Sequence, residues 1–516
     1  MPTLINASTS QGSRTPAQPQ LLNALATEHL HADLKGRSVR GVLLTLTSQG
    51  AQFVISSVST VVLARLLTPA DFGLVAMVTA ITGLAQAFAD LGLSEATVQR
   101  QEISQEQVNN LFWINVAIGL ALTLVTAALA PVLAWFYREP RLKDITLLLS
   151  LSFLIGGLRV QHYALLQRQM RFVSMAIRDV GAYAIGVPLA IIMAWRGAGY
   201  WAIVALPLIV NFAATLLSWL MVRWIPGLPR RDAKVRSLVA FGGNVAASYF
   251  ILNLNRNADN VLVGRFWGAG PLGLYSRAYN LLMLPVRQLH FPLQTVVIPT
   301  FSRIQADPER FARYYLRTVN LMTWISAPIF GFLFVAAKPV IVLVLGNKWQ
   351  EAAPVFQILA ISALVQPLYG STIWLFVSRG QSERLLKLTL MTSPAFIGSY
   401  LIGLPFGIKG VALFGSLVLL AILPWMLNYT FRGTHLTLQR LGQTVLYPAS
   451  LCLAGVFLAE LALHVIAPQR IISQLLVVAL GFGAAYTLSA LIPAVRREAV
   501  SLRELFGELR LNSQLT

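Results

Sequence analysis

The sequence is poor in charged residues and in cysteine, and each shortage excludes a class of protein. Only 12% of the 516 residues are Asp, Glu, Lys or Arg, about half the share that is typical of soluble domains. A soluble protein of this length would need more polar residues to cover its surface, so we predict a chain solvated mainly by lipid. The single cysteine, Cys452, allows neither an internal disulfide nor a thiolate metal site.

Acidic residues are scarce as well, with 20 Asp and Glu against 40 Lys and Arg and a net charge of +20. Most basic residues fall in short loops between apolar runs, a pattern that sets membrane orientation and contacts anionic headgroups. No basic stripe with interleaved aromatic residues follows a polar helix, so nucleic-acid binding is not indicated. A His-x-x-x-His pair, a Gly-x-Ser-x-Gly turn and a phosphate-binding loop are also missing from the sequence, which argues against an enzyme.

Long apolar runs dominate what is present. Each bilayer span takes about 20 apolar residues, so the runs predict an all-α polytopic membrane protein with about 14 transmembrane helices. Polar residues interrupt several runs, which leaves 12 or 13 spans as the alternative count. Basic residues are about twice as frequent on one set of loops, which predicts a bacterial inner-membrane protein with both termini in the cytoplasm. Aromatic residues near the span ends, such as Trp195 and Trp349, are interpreted as interfacial anchors.

Two segments 200 positions apart have the same shape. Residues 64–74 (ARLLTPADFGL) and 264–274 (GRFWGAGPLGL) each end an apolar helix in Arg, make a short turn and open the next helix with Gly-Leu. A second pair of glycine turns, at 197–202 and 407–412, repeats at a similar offset. Two repeats of six spans would have the same orientation and leave a cleft between them.

The repeat predicts five parts of the chain. They are a disordered or amphipathic cytoplasmic N-terminus (1–38), an N-lobe of spans 1–6 (39–232), a C-lobe of spans 7–12 (233–432), two extra C-terminal spans (433–495) and a cytoplasmic tail (496–516).

Polar and ionisable side chains inside the predicted spans are the candidates for function, because charge at membrane depth is costly and marks a cavity or a partner. The seventh span carries a stripe of polar residues at i, i+3, i+4 and i+7. Guanidinium groups bind phosphate through a planar fork of donors, so we predict a cationic, phosphate-binding cavity. The predicted substrate-binding residues are Arg159, Asn253, Arg256, Asn257, Asn260, Arg277 and Arg287. For Arg277, near a helix end, the alternative is a side chain that extends to the interface.

The embedded acidic residues are the candidates for coupling transport to H⁺ or Na⁺, and no other cofactor is expected. These candidates are Asp90, Asp179, Asp259 and Glu460. A structural ion pair with a nearby arginine is the alternative for Asp179 and Asp259, since Asp259 lies three residues after Arg256 on one helical face.

Three segments resemble a known family. Residues 64–74, 165–172 (LLQRQMRF) and 257–266 (NADNVLVGRF) are similar to signatures of the Wzx-type polysaccharide flippases, and above all of WzxC-like exporters, in the multidrug/oligosaccharidyl-lipid/polysaccharide exporter superfamily. The similarity extends over about residues 36–430. It implies two lobes, alternating access and a cationic cavity. The implied substrate is an undecaprenyl-pyrophosphate-linked oligosaccharide, moved from the cytoplasmic to the periplasmic leaflet for exopolysaccharide or lipopolysaccharide biosynthesis.

Membrane lipid, a polysaccharide polymerase and the export machinery are the expected partners. Related lipid II flippases carry an Arg-Asp pair in the first span, where this chain has Gln49 and Gln52, so lipid II is a less suitable substrate. A cation-coupled drug exporter of the same superfamily and a membrane-embedded glycosyltransferase or polymerase are the competing interpretations. The first would need acidic residues in the cavity, and the second would need a long outer loop.

Overall fold

Helices make up almost all of the structure, a computed structural model that describes residues 34–86, 88–89, 93–100, 103–229 and 257–489. No strand occurs within these ranges, so the prediction of an all-α protein is confirmed. Residues 1–33 of the predicted N-terminus, residues 230–256 with the first part of the predicted seventh span, and the tail beyond 489 lie outside the described residues.

The helices are numbered in chain order. The N-terminal half contains α1 (Leu34–Leu66), α2 (Pro69–Gln86), α3 (Leu93–Gln99), α4 (Gln105–Tyr137), α5 (Leu142–Arg168), α6 (Phe172–Trp195) and α7 (Tyr200–Val222). The C-terminal half contains α8 (257–267 as far as it is described), α9 (Ala269–Ile304), α10 (Pro308–Val335), α11 (Ala337–Leu345), α12 (Ala353–Leu364), α13 (Gln366–Ser378), α14 (Ser382–Gly403), α15 (Gly407–Phe431), α16 (Leu438–Ile466) and α17 (Ile471–Ser489).

Within the described residues, 9 helical segments are long and apolar enough to cross a membrane, or up to 11 if each of two bent pairs forms one span. One of these segments, 382–431, has 50 residues and would measure about 75 Å if straight, more than twice the thickness of a bilayer core. It folds back at the 3-10 turn Leu404–Phe406, and α14 packs against α15 where Gly403 and Gly410 touch. The chain is therefore a multi-pass membrane protein, and the total of 14 spans stays a prediction.

The apolar core is shared by the two halves at one end of the molecule. The largest buried cluster combines residues near the α1–α2 and α4–α5 turns, such as Leu63 and Tyr137, with residues of the second half, such as Leu272 and Ile341. Two other clusters each belong to a single half: one surrounds Phe112 and the other includes Phe301, Tyr315 and Phe431. The halves therefore join at one end and keep separate cores at the other.

Neighbouring helices pack mainly within each half. In the first half α4 packs on α5, α6 on α7 and α1 on α6, whereas in the second half α14 packs on α15. The terminal hairpin of α16 and α17 lies against α10, where the Cys452 thiol donates to the carbonyl oxygen of Ala327 at 3.1 Å. Between the halves, α2 packs on α9 and α1 on α11, and these two pairs position the candidate site.

Candidate substrate cleft

A reciprocal contact of two glycines brings the starts of α2 and α9 together. A Cβ added to Gly73 would overlap the carbonyl oxygen of Ala269, and one added to Gly273 would overlap that of Pro69. Gly73 and Gly273 are 200 positions apart, and so are Pro69 and Ala269, the same offset as in the sequence repeat. Exchanging the halves therefore reproduces the contact, as expected for a two-fold axis, and only glycine lets helices approach so closely.

Side chains reinforce this contact from both halves. Arg65 at the end of α1 donates from Nη2 to the carbonyl oxygen of Leu343 at 2.6 Å, and the Trp349 indole donates to the carbonyl oxygen of Ala64 at 2.8 Å. The Trp349 ring also meets the Phe72 ring edge to face, with centroids 5.3 Å apart. We call the end of the molecule that carries these contacts the joined end.

One face of α9 starts buried at the joined end and becomes exposed farther along the helix. Gly273, Arg277, Asn280, Leu284 and Arg287 follow helical spacing and form one stripe. Gly273 is buried and Arg277 half-buried, whereas Asn280 and Arg287 are exposed. The stripe therefore leaves the other half of the protein as the helix runs away from the joined end.

The facing stripe of α2 changes in the same way. Gly73 is buried, but Thr79 and Gln86 are exposed, and a Cβ added to Gly83 would meet no atom within 4 Å. The stripes of α2 and α9 thus form the walls of a cleft that is closed at the joined end and widens toward the opposite end.

The two arginines of α9 occupy different parts of this cleft. Arg287 is exposed and forms no ion pair or side-chain hydrogen bond with any described residue. Arg277, about 15 Å earlier along the helix, places its guanidinium 4.1 Å from the centre of the Phe72 ring, and its Nε is buried without a hydrogen-bond partner in the described part of the chain. Arg287 therefore presents a cation that no described residue pairs with, whereas Arg277 is covered by the other half and does not extend to an interface.

Asp259 on α8 is 6% exposed and satisfied by neutral donors. Its carboxylate accepts hydrogen bonds from the Tyr275 hydroxyl and from the backbone N–H of Asn260, both at 2.8 Å. No described cation forms an ion pair with it. Asn260 is half-buried, and its Oδ1 finds no partner among the described residues. These groups form a buried polar site behind the cleft wall.

Some predicted site residues lie outside the described residues: Asn253 and Arg256 on the seventh span, and Asp90 after α2. The Arg256–Asp259 ion pair, the alternative to a functional role for Asp259, therefore stays untested. Asn257, at the start of the described part of α8, is half-buried.

Three further predicted residues lie away from the α2–α9 cleft. Arg159 on α5 donates to Oδ1 of Asn211 on α7 at 3.1 Å, and Asp179 forms an ion pair with Arg178, the structural alternative that the sequence allowed. Glu460 is exposed on α16, a helix that packs on α10 and α17. The structure does not bring these three residues together with Arg287.

Sequence reasoning missed the residues that hold the joined end. The interpretation of Trp349 as an interfacial anchor is wrong, because its side chain is 0% exposed and bonded to the other half, whereas Trp195 is 76% exposed as an anchor should be. Phe72 and both glycines were visible only as part of the 200-residue repeat. That repeat was the one signal that could have marked them as a contact.

Two lobes around a cleft define the fold as that of a helical membrane transporter. The chain is similar to the lipid II flippase MurJ in its inward closed conformation, with a TM-score of 0.69 and 14% identity over 87% of this chain and 99% of that one. It also resembles an inward-facing multidrug resistance MATE family transporter of the MOP superfamily, with a TM-score of 0.58 and 13% identity over 77% and 95% of the two chains. At these identities the likeness shows the fold alone.

The sequence profile of the polysaccharide biosynthesis protein family matches residues 62–354, more than half of the chain, and the protein belongs to that family. It is 28% identical to the lipopolysaccharide biosynthesis protein WzxC of Escherichia coli K12 over 66% of this chain and 70% of the relative. It is 26% identical to the succinoglycan biosynthesis transport protein ExoT of Rhizobium meliloti over 70% and 74%. The expected family membership is thus confirmed.

Proposed function

We propose that the protein flips an undecaprenyl-pyrophosphate-linked oligosaccharide from the cytoplasmic to the periplasmic leaflet of a bacterial inner membrane. The observation that carries this proposal is the exposed guanidinium of Arg287, which no described residue pairs with, in a cleft closed at one end. A charge at membrane depth is costly unless water or a counter-ion meets it, and arginine suits a phosphate counter-ion. The family match and the relatives named for polysaccharide biosynthesis support the same assignment.

Alternating access supplies the mechanism. By the distribution of basic loops, the open end faces the cytoplasm and the joined end the periplasm. The pyrophosphate enters beside Arg287 while the polyprenyl chain stays in lipid. The lobes then rock about their two-fold axis, the glycine contact separates, and Phe72 leaves Arg277. Arg277 then becomes available to the same pyrophosphate on the periplasmic side. One face of α9 thus provides Arg287 for the form open to the cytoplasm and Arg277 for the form open to the periplasm.

The sign of the cleft charge favours this function over a drug exporter. A cation exporter would need an exposed carboxylate, but the exposed charges on α9, Arg287 and Arg303, are both positive, and Asp259 is buried and hydrogen-bonded by Tyr275 and Asn260. The relatives are named for biosynthesis and transport, and we propose transport without catalysis for this chain. Coupling to H⁺ or Na⁺ through Asp259, and delivery to a polysaccharide polymerase and export machinery, belong to the same proposal.

Depletion in a bacterium that makes the lipid-linked oligosaccharide tests the proposed function. Because the lipid could no longer cross, we expect intact repeat units to accumulate in the cytoplasmic leaflet, where an added membrane-impermeant glycosidase cannot reach them in whole spheroplasts. Re-expression of the protein should return them to the periplasmic leaflet. Accumulation in the periplasmic leaflet after depletion would assign the protein to a later step.

A further inference from the structure

A second polar cluster lies inside the first half, between α5, α6 and α7. Arg159 donates to the Asn211 side chain at 3.1 Å. One turn later on α5, the Tyr163 ring carries the Arg178 guanidinium, 4.0 Å from its centre, and Arg178 pairs with Asp179. All five residues are half-buried, so none of them is enclosed in a solid core.

Counted over the described residues, the cluster has one positive charge more than it has negative charges. Arg159 and Arg178 supply two positive charges, and Asp179 is the only acidic side chain that pairs with either of them among the described residues. Asp179 forms its ion pair with Arg178. The described hydrogen-bond partner of Arg159 is the uncharged side-chain amide of Asn211. A half-buried guanidinium beside a second guanidinium is unfavourable until an anion approaches.

Open space adjoins the surplus cation. A Cβ added to Gly156, three residues before Arg159, would meet no atom within 4 Å. Gly156, Arg159 and Tyr163 follow each other on one face of α5, and their partners Arg178 and Asn211 come from α6 and α7. The open space therefore adjoins the face of α5 that carries Arg159, which lies about 14 Å along the helix from the end of α5 at Arg168.

We propose that Arg159, Tyr163 and Asn211 form a subsite for the carboxylate of an acidic sugar in the transported oligosaccharide. The Arg159 guanidinium can bind a carboxylate through two parallel hydrogen bonds. The Asn211 amide and the Tyr163 hydroxyl offer further donors and acceptors for sugar oxygens. The inference rests on the proposed function and narrows it to lipid-linked oligosaccharides that carry a carboxylate.

The charge balance favours a sugar carboxylate over the pyrophosphate at this site. A pyrophosphate joined to a lipid and a sugar carries two negative charges, whereas the cluster has one positive charge to spare. Arg287 already offers the pyrophosphate an exposed cation on the other half of the protein. A substrate with charge both in its linkage and in its sugars would therefore engage both lobes.

Transfer between leaflets of proteoliposomes tests the subsite with three lipids. These are undecaprenyl pyrophosphate alone, the same lipid bearing a neutral trisaccharide, and the same lipid bearing a trisaccharide with one uronic acid. The purified full-length protein is compared with Arg159→Gln, which removes the charge, and Arg159→Lys, which keeps it. Arg196→Gln, on the exposed end of α6, serves as the matched control, and size-exclusion profiles confirm folding.

We expect the unsubstituted protein to move the acidic lipid fastest. Arg159→Gln should slow that lipid about tenfold, the effect of losing a hydrogen bond between charged groups, while the rates for the other two lipids change by less than about twofold. Arg159→Lys should restore part of the rate, and Arg196→Gln should match the unsubstituted protein. Equal slowing of all three lipids by Arg159→Gln would contradict the subsite. Equal rates for the acidic and neutral lipids in the unsubstituted protein would contradict it as well. Neither result would contradict the proposed flippase function. Movement of no lipid would overturn both.

Discussion

Arg277 and Arg287 lie on the same face of α9 but in different environments, since Arg277 packs against Phe72 and Arg287 is exposed. Their spacing on α9 predicts a shared stripe from the sequence alone. Their environments could not be predicted, because Phe72, which covers Arg277 at 4.1 Å, comes from the other half of the chain, 205 positions earlier. For the same reason the sequence located Asp259 on its helix but not its partner Tyr275 on α9.

Replacement of Arg287 by alanine tests the exposed cation. The change removes the exposed guanidinium from the cleft, so we expect transport to fall at least about tenfold, since a charge-assisted hydrogen bond contributes about 1.5–3 kcal/mol. Protein abundance should stay normal because no described side chain pairs with Arg287. Export of polysaccharide per unit of membrane protein provides the measurement, with Arg303→Ala, exposed at the end of the same helix, as control. Full export by Arg287→Ala would remove Arg287 from the site.

At the scale of helices, the pairing of α2 with α9 follows from the sequence repeat, but its closeness does not. Residues 64–74 and 264–274 predicted equivalent turns, and the structure places those turns against each other through Gly73 and Gly273. Bends are harder to predict: α12 and α13 meet at 45°. Proline marks many positions along the predicted spans, yet a membrane helix with a proline can also stay unbroken.

Substitution of Gly73 by alanine tests whether the close contact holds the joined end. The added methyl would overlap the Ala269 carbonyl, and such overpacking costs about 1–3 kcal/mol, so the separated form should gain about 5- to 150-fold in population. A cysteine at Leu272, which is 0% exposed at the joined end, would report separation by faster reaction with a water-soluble maleimide. Cys452 is first replaced by alanine so that one thiol remains.

Gly83→Ala is the matched control on the same helix, because a Cβ there meets no atom within 4 Å. Its labelling rate should equal that of the Leu272→Cys protein without a further change. Equal labelling of the Gly73→Ala and Gly83→Ala proteins would show that the glycine contact does not govern closure.

The whole molecule combines a shared core at the joined end with separate cores at the other end. Composition was sufficient to predict a helical membrane protein, because apolar runs and basic loops respond to the bilayer itself. Which end of the cleft is closed could not be predicted, since alternating access requires the same sequence to form the contacts of the joined end in one conformation and to break them in another. Closure at one end is a property of the conformation that the structure describes.

Transfer of the lipid-linked oligosaccharide by a reversibly locked protein tests the central claim most directly. In a protein whose Cys452 is replaced by alanine, cysteines at Arg65 and Leu343, whose side chain and carbonyl meet across the joined end, would be joined in proteoliposomes by a cleavable bismaleimide. Each single-cysteine protein is treated alike as control. We predict that transfer between leaflets stops on cross-linking, returns on cleavage and continues in both controls. Transfer at an unchanged rate through the locked protein, or no transfer by the unlocked protein, would contradict the account.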